Sequence, residues 1–414
     1  MNCAKVRRRR DGCTDGVTNH VIGSTEGGAA LVVALLLTGF LLLLGSAMLT
    51  MAGSERQIGL NDQAGVQALN QAEAAVERAR SVLPRFAPND VVGNNLLLGS
   101  WVTGTPLGSG TYQAIVANNN QPIGGYPSDP LTPTCASCDG DGLLVVIATG
   151  SYQGASRTIR ALVEMPPIMQ LPAPLTFVNS VVDAHFDGES FLISGFDRNV
   201  DGSPGSATAR PAIAVVALEA APAVENALTE EQQSRVLGAG ATPSVQPVFT
   251  VPTSERLERL KYDLARQADR TLINPAPLSE SLQGVDGGGQ VTLIKGEPSG
   301  DSAHGLDTAG DAILDGAGHG VGILVVTGEL TLRGSYRFDG AVLVVGDGSR
   351  VILEGDAIIT GAVVIANRSA RNSGMAGFTI RDRAKLHFSQ DALHQAAQLL
   401  SAPLRAWQEV SQDR

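Results

Sequence analysis

The chain has 414 residues, 43% of them apolar, enough to build cores and to exclude a disordered polymer. Aromatics make up 4% while glycine numbers 48, a balance that suits a thin, repetitive β architecture better than an enzyme with a deep aromatic pocket. With 30 basic against 41 acidic residues the net charge is −11, which argues against a nucleic-acid binder held by phosphate neutralisation, and four cysteines are too few for a disulfide scaffold.

All 21 prolines lie at or after Pro84, so the first 83 residues can hold one uninterrupted helical element behind a leader. No charged residue stands between Gly27 and Gly53, and Ala29 to Leu49 is strongly apolar. At about 1.5 Å per residue that run spans a bilayer core of about 30 Å. Lys5 and Arg7 to Arg10 precede it, which predicts a cytoplasmic N-terminus and an extracytoplasmic chain after Gly53. The run is too long for a secretory signal, and Thr50-Met51-Ala52 is a poor cleavage site. From Ser54 to Leu83 a more polar helix is expected, with Ile58, Val66, Leu69, Ala72, Val76, Ala79 and Leu83 close to a helical period, until Pro84 stops it.

Glu26-Gly27-Gly28 directly before the apolar run resembles a prepilin leader, which a dedicated peptidase cuts after the glycine. Gly28 and Ala29 are then the processing site, with residues 1–28 removed, 29–53 in the membrane and 54–83 outside it. The wording Gly28-Ala-Ala-Leu-Val-Val-Ala-Leu-Leu-Leu, then Glu55-Arg56, then Gln71-Ala-Glu-Ala-Ala-Val-Glu-Arg-Ala79 resembles the PilX N-terminal family of type IV pilus assembly proteins over roughly residues 24–83. That resemblance implies a single-pass inner-membrane subunit, processed and methylated by a prepilin peptidase. Its implied partners are other pilins and the inner-membrane assembly machinery, and its final place is the pilus or cell surface. Major pilins carry a glutamate at the fifth mature position, where this chain has Val33. Without that carboxylate the subunit cannot pair with a neighbour's N-terminal amine inside the lipid, which points to a minor component at a tip or initiating complex. A pseudopilin of type II secretion is the related alternative, and a plain membrane anchor the bland one.

Residues 84–168 are expected to form a small antiparallel sheet packed on the helix, from Thr111–Val116, Leu143–Ala148 and Arg157–Glu164. From 175 to 388 a β-helix is expected. Ile323-Leu-Val-Val, Val342-Leu-Val-Val and Val363-Val-Ile align at spacings of 19 and 21 residues, with glycines at 322, 328, 334, 340, 346, 355 and 361 between them. Phe177 to Phe186 and Ser190 to Gly195 read as earlier coils, and about 229–271 as a helical insertion opened by the capping box Thr229-Glu-Glu-Gln232. Leu393, Ala397, Leu400, Leu404 and Trp407 predict a C-terminal helix over 389–410 that caps the last coil. The fold class is α+β: a long membrane and pilin-like helix on a small sheet, then a β-helix.

Cys135 and Cys138 suit a local disulfide bracing a turn, since a redox pair would need a helix N-terminus; Cys3 and Cys13 fall in the leader. Asp197, Asn199, Asp201 and Ser203 match the first half of a calcium loop, but Thr208 stands where a bidentate glutamate belongs, so calcium and an Asx-rich turn both remain open. Asp139-Gly-Asp141-Gly is a weaker version of the same pattern. His185, His304, His319, His387 and His394 are scattered, with no nucleophile elbow and no phosphate loop nearby. A carbohydrate-active β-helix enzyme would need clustered carboxylates, and Asp183, Asp187 and Glu189 read more simply as a solvated strand face. No enzyme activity and no obligatory cofactor is therefore expected. A surface or glycan ligand of the β-helix is left unspecified.

Overall fold

The computed structural model describes residues 26–92, 105–131, 135, 138–249, 252–298, 305–368 and 375–410. The leader up to Thr25, Thr132 to Thr134 and His304 lie outside the described residues. The chain divides into two units, Met1–Gln63 and Ala64–Arg414.

The first unit is helical from Glu26 on, as the first part of α1 (Glu26–Val82). Its large apolar side chains between Leu31 and Met51 are all exposed, and the helix is long and apolar enough to cross a membrane. Thr38, Ser46 and Thr50 turn their hydroxyls back onto the carbonyls of Ala34, Leu43 and Ala47 at 2.6, 2.8 and 2.8 Å, so this stretch presents few unsatisfied polar groups to lipid.

In the second unit the remaining turns of α1 bury a stripe of small residues: Ala64, Ala68, Ala72, Ala75 and Ala79, joined by Val76, Val82 and Leu83. The expected stripe is corrected at three positions, because Ile58 and Val66 are exposed and Leu69 is only half buried. Alanine is used because the helix backbone lies close to the sheet; a Cβ on Gly150 would come within 2.1 Å of the Ala68 carbonyl. After a short α2 (Pro88–Val91), β1 (Thr105–Leu107), β2 (Gly110–Asn118), β3 (Leu143–Tyr152) and β4 (Ala155–Glu164) form an antiparallel meander. One face of β2 points at the helix and the other at solvent, which gives its strict alternation of buried and exposed residues.

The chain then enters a region of parallel strands shared between two sheets. β5 (Leu175–Phe177), β6 (Val182–Asp187) and β7 (Leu192–Ser194) come first, then β8 (Ile213–Val215), α3 (Ala220–Asn226), α4 (Glu230–Gln233), β9 (Val236–Leu237) and β10 (Val245–Pro247). Helix α5 (Ser254–Gln267) leads to β11 (Arg270–Ile273) and β12 (Gln290–Lys295), followed by β13 (Ala312–Leu314), β14 (His319–Val326) and β15 (Glu329–Leu332). The succession ends with β16 (Arg337–Gly346), β17 (Arg350–Leu353), β18 (Ile358–Asn367), β19 (Ala376–Arg381) and β20 (Lys385–Phe388). Even-numbered strands from β12 to β18 pair in one sheet, and odd-numbered strands from β13 to β19 in the other.

Three expectations change here. Phe177 to Phe186 and Ser190 to Gly195 are not coils ahead of the Val321 stretch. β5, β6 and β7 pair with β18, β19 and β20, so this early segment stacks on the last strands of the region, and α5 carries the chain back to the far edge where β11 begins. The expected insertion over 229–271 is interrupted by β9 and β10, although Thr229 and Gln232 do form a capping box and α5 does bury Leu257, Leu260 and Leu264. The register also shifts: Val342 lies opposite Leu324, not Ile323, a period of 18, while Val342 to Val363 keeps 21. A continuous apolar run fits either face, so it cannot set register by itself. The glycines do. Gly322, Gly340 and Gly361 are in register, and a Cβ on Gly340 would sit 1.9 Å from the Gly322 carbonyl oxygen.

The C-terminal expectation is also corrected. Helix α6 (Gln390–Ala397) is short, and Leu404 and Trp407 are on strand β21 (Leu404–Val410), which closes the antiparallel sheet beside β4. Pro403 forbids a helix running through this point. Nor does α6 cap a coil end. It packs along the outer face of β14, β16 and β18, where with α5 it covers Ile323, Val325, Leu343 and Val364. Leu324, Val326, Val342, Val344, Val363 and Ile365 point the other way, into the core between the two sheets.

Candidate functional site

Gly28 and Ala29 lie in the first turns of α1, and Val33 is exposed one turn further on. Val33 stands among the exposed apolar side chains of this stretch, the kind of surface that meets lipid or another helix.

The chemically densest place among the described residues is the loop from β2 to β3. Asp129, Asp139 and Asp141 each bring a carboxylate oxygen within 4.8 Å of the others. Asp129 is fully buried and accepts from the Leu131 and Gly140 amides at 2.6 and 2.7 Å. Asp139 accepts from Gly142 N–H at 2.9 Å, and Asp141 from Leu143 N–H at 2.9 Å. Cys135 and Cys138 are joined as a disulfide between Asp129 and this pair. The Cys138 carbonyl is held by Asn118 Nδ2 at 2.7 Å, and the Asp139 amide donates to Asn89 Oδ1 at 2.7 Å, which ties the loop to α2.

Burial, followed by the charge of Asp141, pushes the Asp139 carboxyl up to about 7. Burial raises Asp141 as well. The guanidinium of Arg256, on α5, lies beside the loop, so close to Gly142 that a Cβ there would meet it at 1.8 Å. Arg256 is also engaged elsewhere, donating to the Met165 carbonyl at 2.7 Å and pairing with Glu164 at 3.6 Å. One shared cation therefore stands against three grouped carboxylates. Sequence spacing showed only Asp139 and Asp141; Asp129, ten residues upstream, is brought in by the loop's return, and only its position in an Asp-Pro turn hinted at it.

The other sequence candidate has a different construction. Asp197 accepts from Ala207 and Gln390 amides at 2.9 Å each, and Asp201 from the Ser203 amide and hydroxyl at 2.8 and 2.6 Å. Asn199 turns its Nδ2 toward Ser203 Oγ at 2.9 Å. These oxygens close the loop on itself and, through Gln390, tie it to the start of α6. The Ser203 hydrogen bonds hold Asp201 below the usual carboxylate range.

Among the parallel strands, Asp183 pairs with Arg350 of β17 at 2.7 Å and lies 2.9 Å from His185 on its own strand, and Asp187 pairs with Arg381 of the adjacent β19 at 2.9 Å. His319 Nε2 lies 2.7 Å from the buried Asp339, which Arg337 also contacts at 3.0 Å. Scattered in sequence, His319 and Asp339 become neighbours because the strand repeat of 18 puts β14 beside β16.

No family model matches the chain, and no curated protein matches it. Among solved structures, the crystal structure of the competence-associated pilin ComZ from Thermus thermophilus is similar at 12% identity, covering 84% of this chain and 97% of that one, with a TM-score of 0.19. A likeness at that score says nothing by itself about this chain's fold or activity.

Proposed function

We propose that the chain is a minor pilin-like subunit of a type IV pilus, an interaction protein rather than an enzyme. The observation that carries the reading is helix α1. It runs unbroken from Glu26 to Val82, uncharged with its large apolar side chains exposed from Ala29 to Met51, and in its later turns buries an alanine stripe on an antiparallel sheet. Such a helix serves two environments, lipid before assembly and neighbouring helices after it. In this reading the prepilin peptidase cuts between Gly28 and Ala29. The N-terminus stays cytoplasmic, residues from Ser54 on are extracytoplasmic, and Val33 restricts the subunit to a position with nothing above it. The parallel strands from β5 to β20 act as a β-helix held outward for a surface or partner.

The PilX N-terminal family is the group this reading favours, with a secretion pseudopilin as its near relative. N-terminal sequencing of the membrane-extracted protein tests it. A start at Ala29 is expected, and Gly28→Ala leaves the precursor uncut. An intact leader in wild type, or a start at Ala52 or Gly53, overturns the proposal.

A further inference from the structure

The loop 196–205, in the connection from β7 to β8, lies as a strap on the outer face of the parallel strands. Its Arg198 amide donates to the Phe388 carbonyl of β20 at 3.0 Å, and Asp197 Oδ1 accepts from the Gln390 amide at 2.9 Å. From β16, Arg337 donates to the Val200 carbonyl. Between these anchors a polar row crosses four neighbouring strands: Asp339, Thr360, His387 and Ser194 stand opposite one another in register, and all are buried. Leu386 points into the core between the sheets, so His387 faces outward, on the side where the strap lies.

His387 is the weak member of the row. It is 6% exposed, and its Nδ1 has no hydrogen-bond partner. Arg198 on the strap, Lys385 on its own strand and Arg337 on β16 all oppose its protonation, and Arg210 lies over the ring of the next residue, Phe388, at 5.9 Å. The carboxylates nearby are engaged. Asp339 is shared by His319 and Arg337, Asp197 holds the Ala207 and Gln390 amides, and Asp201 holds the Ser203 amide and hydroxyl. Beside His387, β18 and β7 offer the hydroxyls of Thr360 and Ser194, and the first turn of α6 carries Asp391. A buried imidazolium facing cations is unfavourable, and letting the ring reach water relieves it. The strap is the cover that gives way, because it meets the sheet through single hydrogen bonds, whereas α5 and α6 bury apolar faces.

We propose that the loop 196–205 is a proton-operated strap: protonation of His387 lifts it from the sheet and uncovers the polar row from Asp339 to Ser194. Burial, followed by the three cations, depresses His387 from 6.5 to about 4 while the strap is closed. The closed strap therefore prefers the neutral ring, and opening gains as pH falls below about 6.5. Between pH 7 and pH 4.5 the ratio of open to closed strap is expected to rise about sixtyfold.

The strap does not depend on the pilin reading and stands whether or not the chain enters a filament. The full chain in detergent micelles is followed by hydrogen exchange and mass spectrometry at pH 7 and pH 4.5, with rates corrected for the intrinsic pH dependence of exchange. In wild type, peptides across 196–205 should lose protection about sixtyfold at the lower pH while β16 and β18 keep theirs. His387→Gln, which stays neutral, should hold the strap equally at both pH values. Arg198→Gln, an exposed change that removes one opposing cation, should give a smaller response than wild type. Equal protection of the wild-type strap at both pH values, or a loss that spreads equally to β16 and β18, would overturn the proposal. So would an undiminished loss in His387→Gln, or in Arg198→Gln should the first variant not fold.

Discussion

The antiparallel sheet at β1 to β4 and the parallel region from β5 to β20 use the same apolar residues under different rules. In the former, β2 buries one face on α1 and leaves Ile115 exposed, so polarity alternates and register follows from it. In the latter, β14, β16 and β18 are covered on both sides, by the opposite sheet within and by α5 and α6 without, and their runs are uniformly apolar. A strand that is apolar on both faces has no preferred side. Register there passes to glycine, through backbone contacts that tolerate no side chain. Four mutational or pH tests bear on this contrast.

The largest effect is expected at Gly340. An added Cβ at Gly340→Ala would strike the Gly322 carbonyl at 1.9 Å from a φ of +142°, so β16 must separate from β14. Loss of more than about 4 kcal/mol, or failure to fold, is expected in urea unfolding followed by circular dichroism. Gly108→Ala in the antiparallel sheet, also at positive φ but with open space around it, should cost about 1 kcal/mol. Equal losses would break the contrast.

Next comes the joint between the two regions. Arg405, on β21, pairs with Glu164 on β4 at 2.7 Å and with Asp263 on α5, all three nearly buried. Arg405→Ala takes two charge-assisted hydrogen bonds from buried carboxylates but leaves Glu164 beside Arg256 and Arg259, and Asp263 beside Arg266, and should cost about 3 kcal/mol. A double-mutant cycle with Asp263→Ala should recover much of that loss; strict additivity would mean the ions do not couple the regions.

Third, two aliphatic truncations sample the outer faces directly. Leu343→Ala, beneath α6, should cost about 3 kcal/mol, while Ile115→Ala on the solvent face of β2 should stay within about 0.5 kcal/mol. Comparable values in thermal melts would mean that the helices do not seal the outer face of the parallel sheet.

The smallest effect near neutrality is a pH dependence of the parallel region. Burial, with Arg198, Lys385 and Arg337 nearby, depresses His387 to about 4. The folded value is below the unfolded one, so the neutral ring's contribution is complete above about pH 6.5 and is lost as pH falls toward 4. At pH 5 wild type should have lost about 2 kcal/mol that His387→Gln retains, read from urea midpoints at both pH values. Parallel curves for the two proteins would remove His387 as the cause.

Much of the fold was legible because it is written in local runs. The helix from Glu26 to Val82 follows from uninterrupted apolar and proline-free sequence, and the strands at 110–118, 143–152 and 155–164 from alternation and turn residues. The C-terminal strand is hidden from periodicity because Leu400, Leu404 and Trp407 also fit a helical period, and only Pro403 marks the break. The candidate site was half visible. Asp139 and Asp141 stand out as neighbours, but Asp129 and Asn119 join them only through the path of the loop. His319 and Asp339 were invisible as a pair for the same reason, since no short spacing links them.

By itself, then, the amino-acid order determined the long apolar helix, its end at Pro84, the disulfide-spaced cysteines and the existence of glycine-punctuated strands, because each depends on neighbours in the chain. Only the tertiary structure decided that the strands from Leu175 stack behind those ending at Phe388, and that the C-terminus completes the sheet begun at Thr105. It alone gathered three aspartates around a buried asparagine. Strand order and side-chain clusters depend on contacts between residues far apart in sequence. An apolar run able to pack on either face carries no record of which partner it will meet.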